Sequence, residues 1–206
     1  MINIPALTAR NEARWRAMKI DQNRTPSFYA TAKRLCDPSA KVRYQEIARA
    51  TSVPWFIVAV IHEREAGGPP HWDKQLGQGD PLNQASRHDP KGRGPFFDHP
   101  DDPPLQNAFY RAALDALIDC GPYAAKWKDW TPGGALTLLE EYNGLGYAAR
   151  GVPSAYVWSG TDQYVSGKYV ADHVYRADVK DVQEGCAPIL HAMMEIDPSI
   201  EFAAAA

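Results

Sequence analysis

The stretch TSVPWFIVAVIHEREAGGPP, residues 51–70, constrains the fold more than any other part of the chain. Trp55, Phe56, Ile57, Val58, Val60 and Ile61 leave almost no polar face, so a helix here must be surrounded by protein on nearly every side. Thr51 or Ser52 is the expected N-cap, and Pro54 falls in the first turn, where a missing N–H removes no intrahelical bond. The helix must stop at Ala66-Gly67-Gly68-Pro69-Pro70, because glycine takes the left-handed cap position and proline cannot continue the turn. His62, Glu63, Arg64 and Glu65 therefore fall in the last turn of a buried helix.

By helical spacing Glu65 shares a stripe with Ile61, Val58 and Pro54, which directs it toward protein. Desolvation and the negative end of the helix dipole both disfavour a carboxylate there and so act to raise its pKa. A carboxyl group kept protonated near neutral pH is what a general acid in glycoside cleavage requires. The plain structural alternative is that Glu65 pairs with Arg64 or another base at the helix end.

A chain of 206 residues suits one domain and can bury a substantial core. With 45% apolar and 23% charged residues, it has the composition of an ordinary soluble globular protein. A net charge of −3 provides no basic field, so nucleic acid is not an expected partner. Cys36, Cys120 and Cys186 are odd in number, widely spaced and free of any CxxC, which reads as reduced, mostly buried thiols. The apolar run before Arg10, Glu12 and Arg14 is too short for a signal peptide, and synthesis in the cytoplasm without a leader is expected. The longest apolar run, residues 53–61, falls well short of the roughly 20 residues that cross a bilayer, so no membrane insertion is expected.

Along the chain, apolar spacing predicts helices over residues 6–19, 25–36 and 39–50, with Val42, Ile47 and Ala48 as core positions of the third. Residues 67–104 are dominated by glycine, proline and aspartate, and a short β-hairpin or irregular strand pair is the only regular structure expected there. So long a loop usually serves a function. Its segment Leu76-Gly77-Gln78-Gly79-Asp80 sets two turn-forming glycines beside an acid, and Asp73, Asp80 and Asp89 lie within reach of a site at the end of the Glu65 helix. Helices resume over residues 105–120 and 131–142, and Tyr142-Asn143-Gly144-Leu145-Gly146-Tyr147 follows as a glycine-bearing turn whose aromatics and amide suit a groove. Tyr156 and Trp158 stand in an aromatic-rich segment that serves equally to hold sugar rings or to fill a core. A last helix over residues 181–194 would pack through Val182, Cys186, Ile189 and Met193.

Two catalytic patterns are absent. His62-Glu63-Arg64-Glu65-Ala66 begins like the zincin H-E-x-x-H but has alanine where the second histidine belongs. The other histidines show no metal-ligand spacing, and neither a GxSxG elbow nor a phosphate-cradling glycine loop occurs, so no metal or cofactor is expected. A cysteine nucleophile with a histidine distant in sequence stays open, although each cysteine lies in or beside an apolar helix.

What remains is an acid ending a buried helix, an acid-bearing glycine loop after it, and a Tyr-Asn turn about eighty residues on. This order resembles the lysozyme-like superfamily, which includes soluble lytic transglycosylases, goose-type lysozymes and phage endolysins. Glu65 matches the family's catalytic glutamate, Tyr142 and Asn143 match the core of its Ala-Tyr-Asn-Ala-Gly turn, and residues 153–172 look like the closing segment of one phage-and-bacterial branch. Ala66 stands where the family usually has Ser or Thr, Glu141 and Gly144 replace the alanines around Tyr-Asn, Leu145 replaces a glycine, and the Gly-Leu-Met-Gln segment has no counterpart.

The resemblance implies a mainly α, lysozyme-like α+β fold with a small β-hairpin or irregular loop subdomain after the catalytic helix. It implies one domain over residues 1–206, in which helices of residues 1–52 pack on a catalytic core of residues 53–206. The implied activity is cleavage of the β-1,4 link between N-acetylmuramic acid and N-acetylglucosamine in peptidoglycan glycan strands by a monomer acting on the cell wall. Glu65 would protonate the leaving oxygen, Asp80 would be the second carboxylate of a hydrolase, and Tyr142 and Asn143 would hold the N-acetyl sugar, with Tyr156 and Trp158 as weaker candidates for a groove wall. Without a leader, such an enzyme would be a phage or prophage endolysin or a dedicated secretion substrate. A glycan-binding module without turnover, a cysteine-dependent amidase or peptidase, and chitin as substrate are the alternatives.

Overall fold

The computed structural model describes residues 2–88, 90–171 and 173–204. Among them nine α-helices and one two-stranded antiparallel sheet make a mainly α fold. The chain divides into two compact units, Lys33–Lys128 and a second formed by Met1–Ala32 with Asp129–Ala206.

In the second unit, α1 (Ile4–Ala17) begins at Asn3, whose side chain accepts the Ala6 N–H at 2.9 Å. Helix α2 (Thr25–Leu35) contains the boundary, with Phe28 and Ala32 buried ahead of it. Then come α6 (Pro132–Tyr142), α7 (Gly146–Ala149), α8 (Ala155–Trp158), the sheet of β1 (Lys168–Ala171) and β2 (Val174–Arg176), and α9 (Cys186–Ile196). Helix α6 starts as the sequence implies, with the Thr131 hydroxyl accepting the Gly134 N–H at 3.1 Å and Pro132 in the first turn. It packs closely on α1 because Gly133 has no side chain: a Cβ there would lie 2.6 Å from the Thr8 carbonyl and 2.7 Å from the Glu12 Cβ. The Glu12 carboxylate accepts the Gly133 N–H at 2.7 Å, placing negative charge at the positive end of α6. Deeper between these helices, Asn11 donates to Thr137 at 3.1 Å and to Glu140 at 3.4 Å, and all three side chains are fully buried.

The last helix starts at Cys186, not near residue 181, and Val182, expected in its packing face, is 82% exposed. Asp181 is committed elsewhere: its carboxylate accepts from Lys168 at 3.0 Å and from the Gln183 N–H at 3.1 Å, which holds the chain in a turn.

In the unit Lys33–Lys128, α3 (Pro38–Thr51) is capped by Asp37, whose carboxylate accepts the Ser39 N–H at 2.9 Å. Ala40, Tyr44, Ile47 and Thr51 form its buried face, while Val42 lies off that stripe and is 39% exposed. Helix α4 (Trp55–Ala66) is buried along most of its length, as its composition requires. Its start differs from expectation. Ser52 is the left-handed C-cap of α3 at φ 62°, the Thr51 hydroxyl donates back to the Ile47 carbonyl at 2.9 Å, and Pro54 stands at the N-cap with no side-chain bond. The predicted stop holds: Gly67, at φ 86°, donates to the Glu63 carbonyl and Gly68 to that of His62.

Helix α5 (Ala108–Leu114), capped by Asn107, runs into one wider π-type turn over Asp115–Asp119 and then a single 3-10 turn at Ala124–Lys126. Among the described residues, the long loop over 67–104 carries one antiparallel bridge, Lys74 with Pro81, and the two-stranded sheet is formed instead by Lys168–Ala171 and Val174–Arg176.

Candidate active site

Glu65 lies in the last turn of α4 and is half-buried. Directly after that helix the chain doubles back through the glycine loop. Leu82 donates to the Asp73 carbonyl at 2.9 Å, Gln75 to the Asp80 carbonyl at 2.7 Å, and Gly79 to the Gln75 carbonyl at 2.9 Å. This seats Gly79, at φ +67°, against the Glu65 carbonyl oxygen so closely that any Cβ would overlap it. The Lys74 ammonium donates to the Ala66 carbonyl at 3.3 Å, a cation at the negative end of α4.

Asp80 is 3% exposed, and both its carboxylate oxygens are engaged by one residue: the Arg87 backbone N–H at 2.9 Å and the Arg87 Nε at 3.1 Å. Burial opposes its charge, yet these bonds outweigh burial and hold its pKa below the usual carboxylate value. Asp80 is thus an ionised side chain that ties the glycine loop to residues further along it. Asp73 is exposed, and Asp89, also considered for this site, lies outside the described residues.

What anchors this turn is a set of partners distant in sequence. The Tyr44 hydroxyl stands 2.8 Å from Nδ1 of His62, and Nε2 of His62 stands 3.1 Å from the His71 carbonyl. A carbonyl can only accept, so Nε2 carries the proton and Nδ1 accepts from tyrosine. Burial pushes the His62 pKa down to about 4, against the opposing bond to His71, so the ring is neutral at physiological pH. Trp72 and Phe109 enclose that ring with centroids at 4.8 Å and 4.6 Å. On the other side of the turn, Arg34 donates to the Pro69 carbonyl at 2.7 Å, to that of Gly67 at 3.3 Å, and to Glu63 at 3.0 Å. In the sequence, His62 stands out only as half of an incomplete zinc motif.

The other expected site residues belong to the second unit. Tyr142 ends α6 half-buried, and Asn143 follows as its exposed C-cap. Gly144, at φ +90°, then turns the chain into α7. Tyr156 and Trp158 are a correction: α8 buries them to 4% and 0% exposure, so they are core and cannot form the wall of an open groove. The aromatics with exposed edges here are instead Tyr169 and Tyr175 of the hairpin, packed edge to face on each other and on Tyr147 at centroid distances of 5.3, 5.2 and 6.1 Å. Their signal in the sequence is present but undirected, because nothing local says which of so many tyrosines reach the surface.

Among the described residues, no three His, Cys, Asp or Glu side chains gather into a metal-binding group, and no helix is long and apolar enough to cross a membrane. Comparison of the chain with models of protein families, with curated proteins and with solved structures finds no match in any of the three.

Proposed function

We propose that this chain is a peptidoglycan-degrading glycosidase that cleaves the β-1,4 link between N-acetylmuramic acid and N-acetylglucosamine, acting as a monomer with Glu65 as its general acid. One observation carries the reading: a half-buried glutamate ends a buried helix whose last turn is gripped by a glycine loop and tied down by His62 and Arg34. A carboxyl group held on so rigid a support is preorganised to deliver its proton in one direction. The order of the Glu65 and Tyr142-Asn143 motifs supports the same reading by resemblance.

Glu65 protonates the glycosidic oxygen as the bond to the anomeric carbon breaks and positive charge develops on the sugar ring. Two routes complete the reaction. In a hydrolase a second carboxylate directs water to the anomeric carbon; in a lytic transglycosylase the Glu65 carboxylate takes the proton from the sugar's own C6 hydroxyl, which closes a 1,6-anhydro ring. The burial of Asp80 at 3% exposure and its pairing with Arg87 through both oxygens favour the second route, since a buried carboxylate committed to such a pair is closed to a substrate water.

The test is turnover of purified peptidoglycan by the wild type and by Glu65→Gln, with products resolved by mass. Muropeptides with 1,6-anhydro ends from the wild type and none from the variant are expected. Reducing ends would return a water-directing carboxylate to the mechanism. Equal activity of the two proteins would remove Glu65 from its role, and loss of activity to a thiol reagent would point to a cysteine amidase or peptidase.

A further inference from the structure

One turn beyond the Tyr142-Asn143 motif, at the C-cap of α7, Arg150 lies exposed on the tyrosine surface of the hairpin. Its guanidinium carbon stands 4.5 Å from the centre of the Tyr175 ring and 5.8 Å from that of Tyr169, and its Nε donates to the Tyr169 hydroxyl at 3.1 Å. An arginine stacked on aromatic faces has surrendered most of its side-chain freedom before any ligand arrives.

The support beneath it is itself constrained. Gly146 has no Cβ because one would lie 2.6 Å from the Tyr169 hydroxyl, and Gly167, at φ +101°, leaves room for the Tyr175 hydroxyl in the same way. Tyr147, 4% exposed, accepts the Tyr169 N–H at 3.3 Å, which docks the hairpin on α7. Both other cations on β1 and β2 are neutralised: Lys168 pairs with Asp181 at 3.0 Å and Arg176 with Asp178 at 2.8 Å. Arg150 has no carboxylate partner among the described residues, and its two terminal nitrogens make no hydrogen bond there.

A planar, always-charged fork with one nitrogen pinned and its two terminal nitrogens without a hydrogen bond among the described residues is matched by a carboxylate, which it binds through two parallel N–H bonds. We propose that Arg150 is a receptor for a carboxylate of the substrate. Resting on the glycosidase reading above, this makes Arg150 the residue that distinguishes peptidoglycan, which carries carboxylates on its stem peptides and on lactyl groups freed of peptide, from chitin, which carries none.

The test is retention of the full chain on insoluble peptidoglycan, intact and with its carboxylates capped as amides, for the wild type and Arg150→Gln. The wild type should be held about tenfold more tightly by the intact polymer, as expected for a charge-assisted pair, and Arg150→Gln should be held equally and weakly by both. Arg150→Lys, which keeps the charge but loses the fork, should recover only part of the preference. Glycan stripped of stem peptides by an amidase assigns the source: a preference that survives stripping identifies the lactyl carboxylate, and one lost with the peptide identifies the stem. Equal retention of the wild type on the intact and capped polymers, or a preference that survives Arg150→Gln, overturns the inference. Turnover by the same preparations is read separately. A wild type that cuts glycan without discriminating sinks only the carboxylate receptor, whereas one that discriminates without cutting sinks only the glycosidase reading.

Discussion

Gly79 lies with its backbone against the carbonyl oxygen of Glu65, in a left-handed conformation at φ +67° that leaves no space for a Cβ. Gly79→Ala adds about 1 kcal/mol of backbone strain and an overlap with the main chain of the acid-bearing turn. The loop must then move off the end of α4. Peptidoglycan turnover should fall at least about tenfold while the far-ultraviolet dichroism of the helices is retained, because the disturbance is confined to one turn. Unaltered turnover would mean that the loop does not order the site.

Asp80 and Arg87 separate a structural from a catalytic carboxylate. Asp80→Ala leaves two donors without their acceptor and should lower stability to urea by roughly 1–3 kcal/mol, whereas Arg87→Ala, which removes an exposed side chain and keeps the backbone bond, should cost less than about 1 kcal/mol. Since the native pKa of Asp80 is depressed, its contribution is present above the ordinary carboxylate value and is lost as the pH falls through the native one. A variant Asp80→Asn that unfolds like the wild type yet fails to turn over substrate would make Asp80 the second carboxylate after all.

His62 predicts an acid-labile support for the same turn. Its native pKa lies near 4, below the ordinary 6.5, so only the unfolded chain takes up the proton between these values. Stability contributed by the neutral ring is therefore complete above about pH 6.5 and is lost as the pH falls toward 4, up to about 3 kcal/mol. Urea midpoints measured across that range should slope downward in the wild type and lose most of the slope in His62→Gln. Tyr44→Phe, which removes the donor to Nδ1, should cost about 1 kcal/mol at neutral pH.

Glu140 runs the other way. Burial raises its pKa, against the Asn11 bond and the nearby Arg14 and Arg10, so the stability linked to its protonated form is present at low pH and lost as the pH rises through the native value. Glu140→Gln should raise the melting temperature at neutral pH and remove that dependence. Asn11→Ala, which strips Glu140 and Thr137 of a shared donor, should destabilise by about 1–3 kcal/mol at the same pH.

Elements governed by near neighbours along the chain are legible in the amino-acid sequence alone. Thr131 caps a helix with proline in its first turn, Gly67 ends α4, and the apolar run of residues 56–61 is buried as its composition demands. These are interactions within about four residues, and the chain meets them whatever surrounds it. The same locality marks Glu65 as the acid at the end of a buried helix and the loop through Gly79 and Asp80 as its neighbour.

Tertiary structure decided which side chains those elements would serve. Ser52 was free by local rules to cap α4 but ends α3, and Val182 had helical spacing but lies exposed because Asp181 is held by Lys168 across thirteen residues. Trp158 and Tyr156 became core while Tyr169 and Tyr175 reached the surface beside Arg150. His62 became an anchor only through Tyr44 and His71, partners 18 and 9 residues away. Local sequence determined where helices begin and end, because their backbone bonds close within a few residues. Burial, pairing and the readiness of an arginine to receive a carboxylate were set by distant residues, since desolvation and aromatic stacking depend on what the folded chain brings alongside.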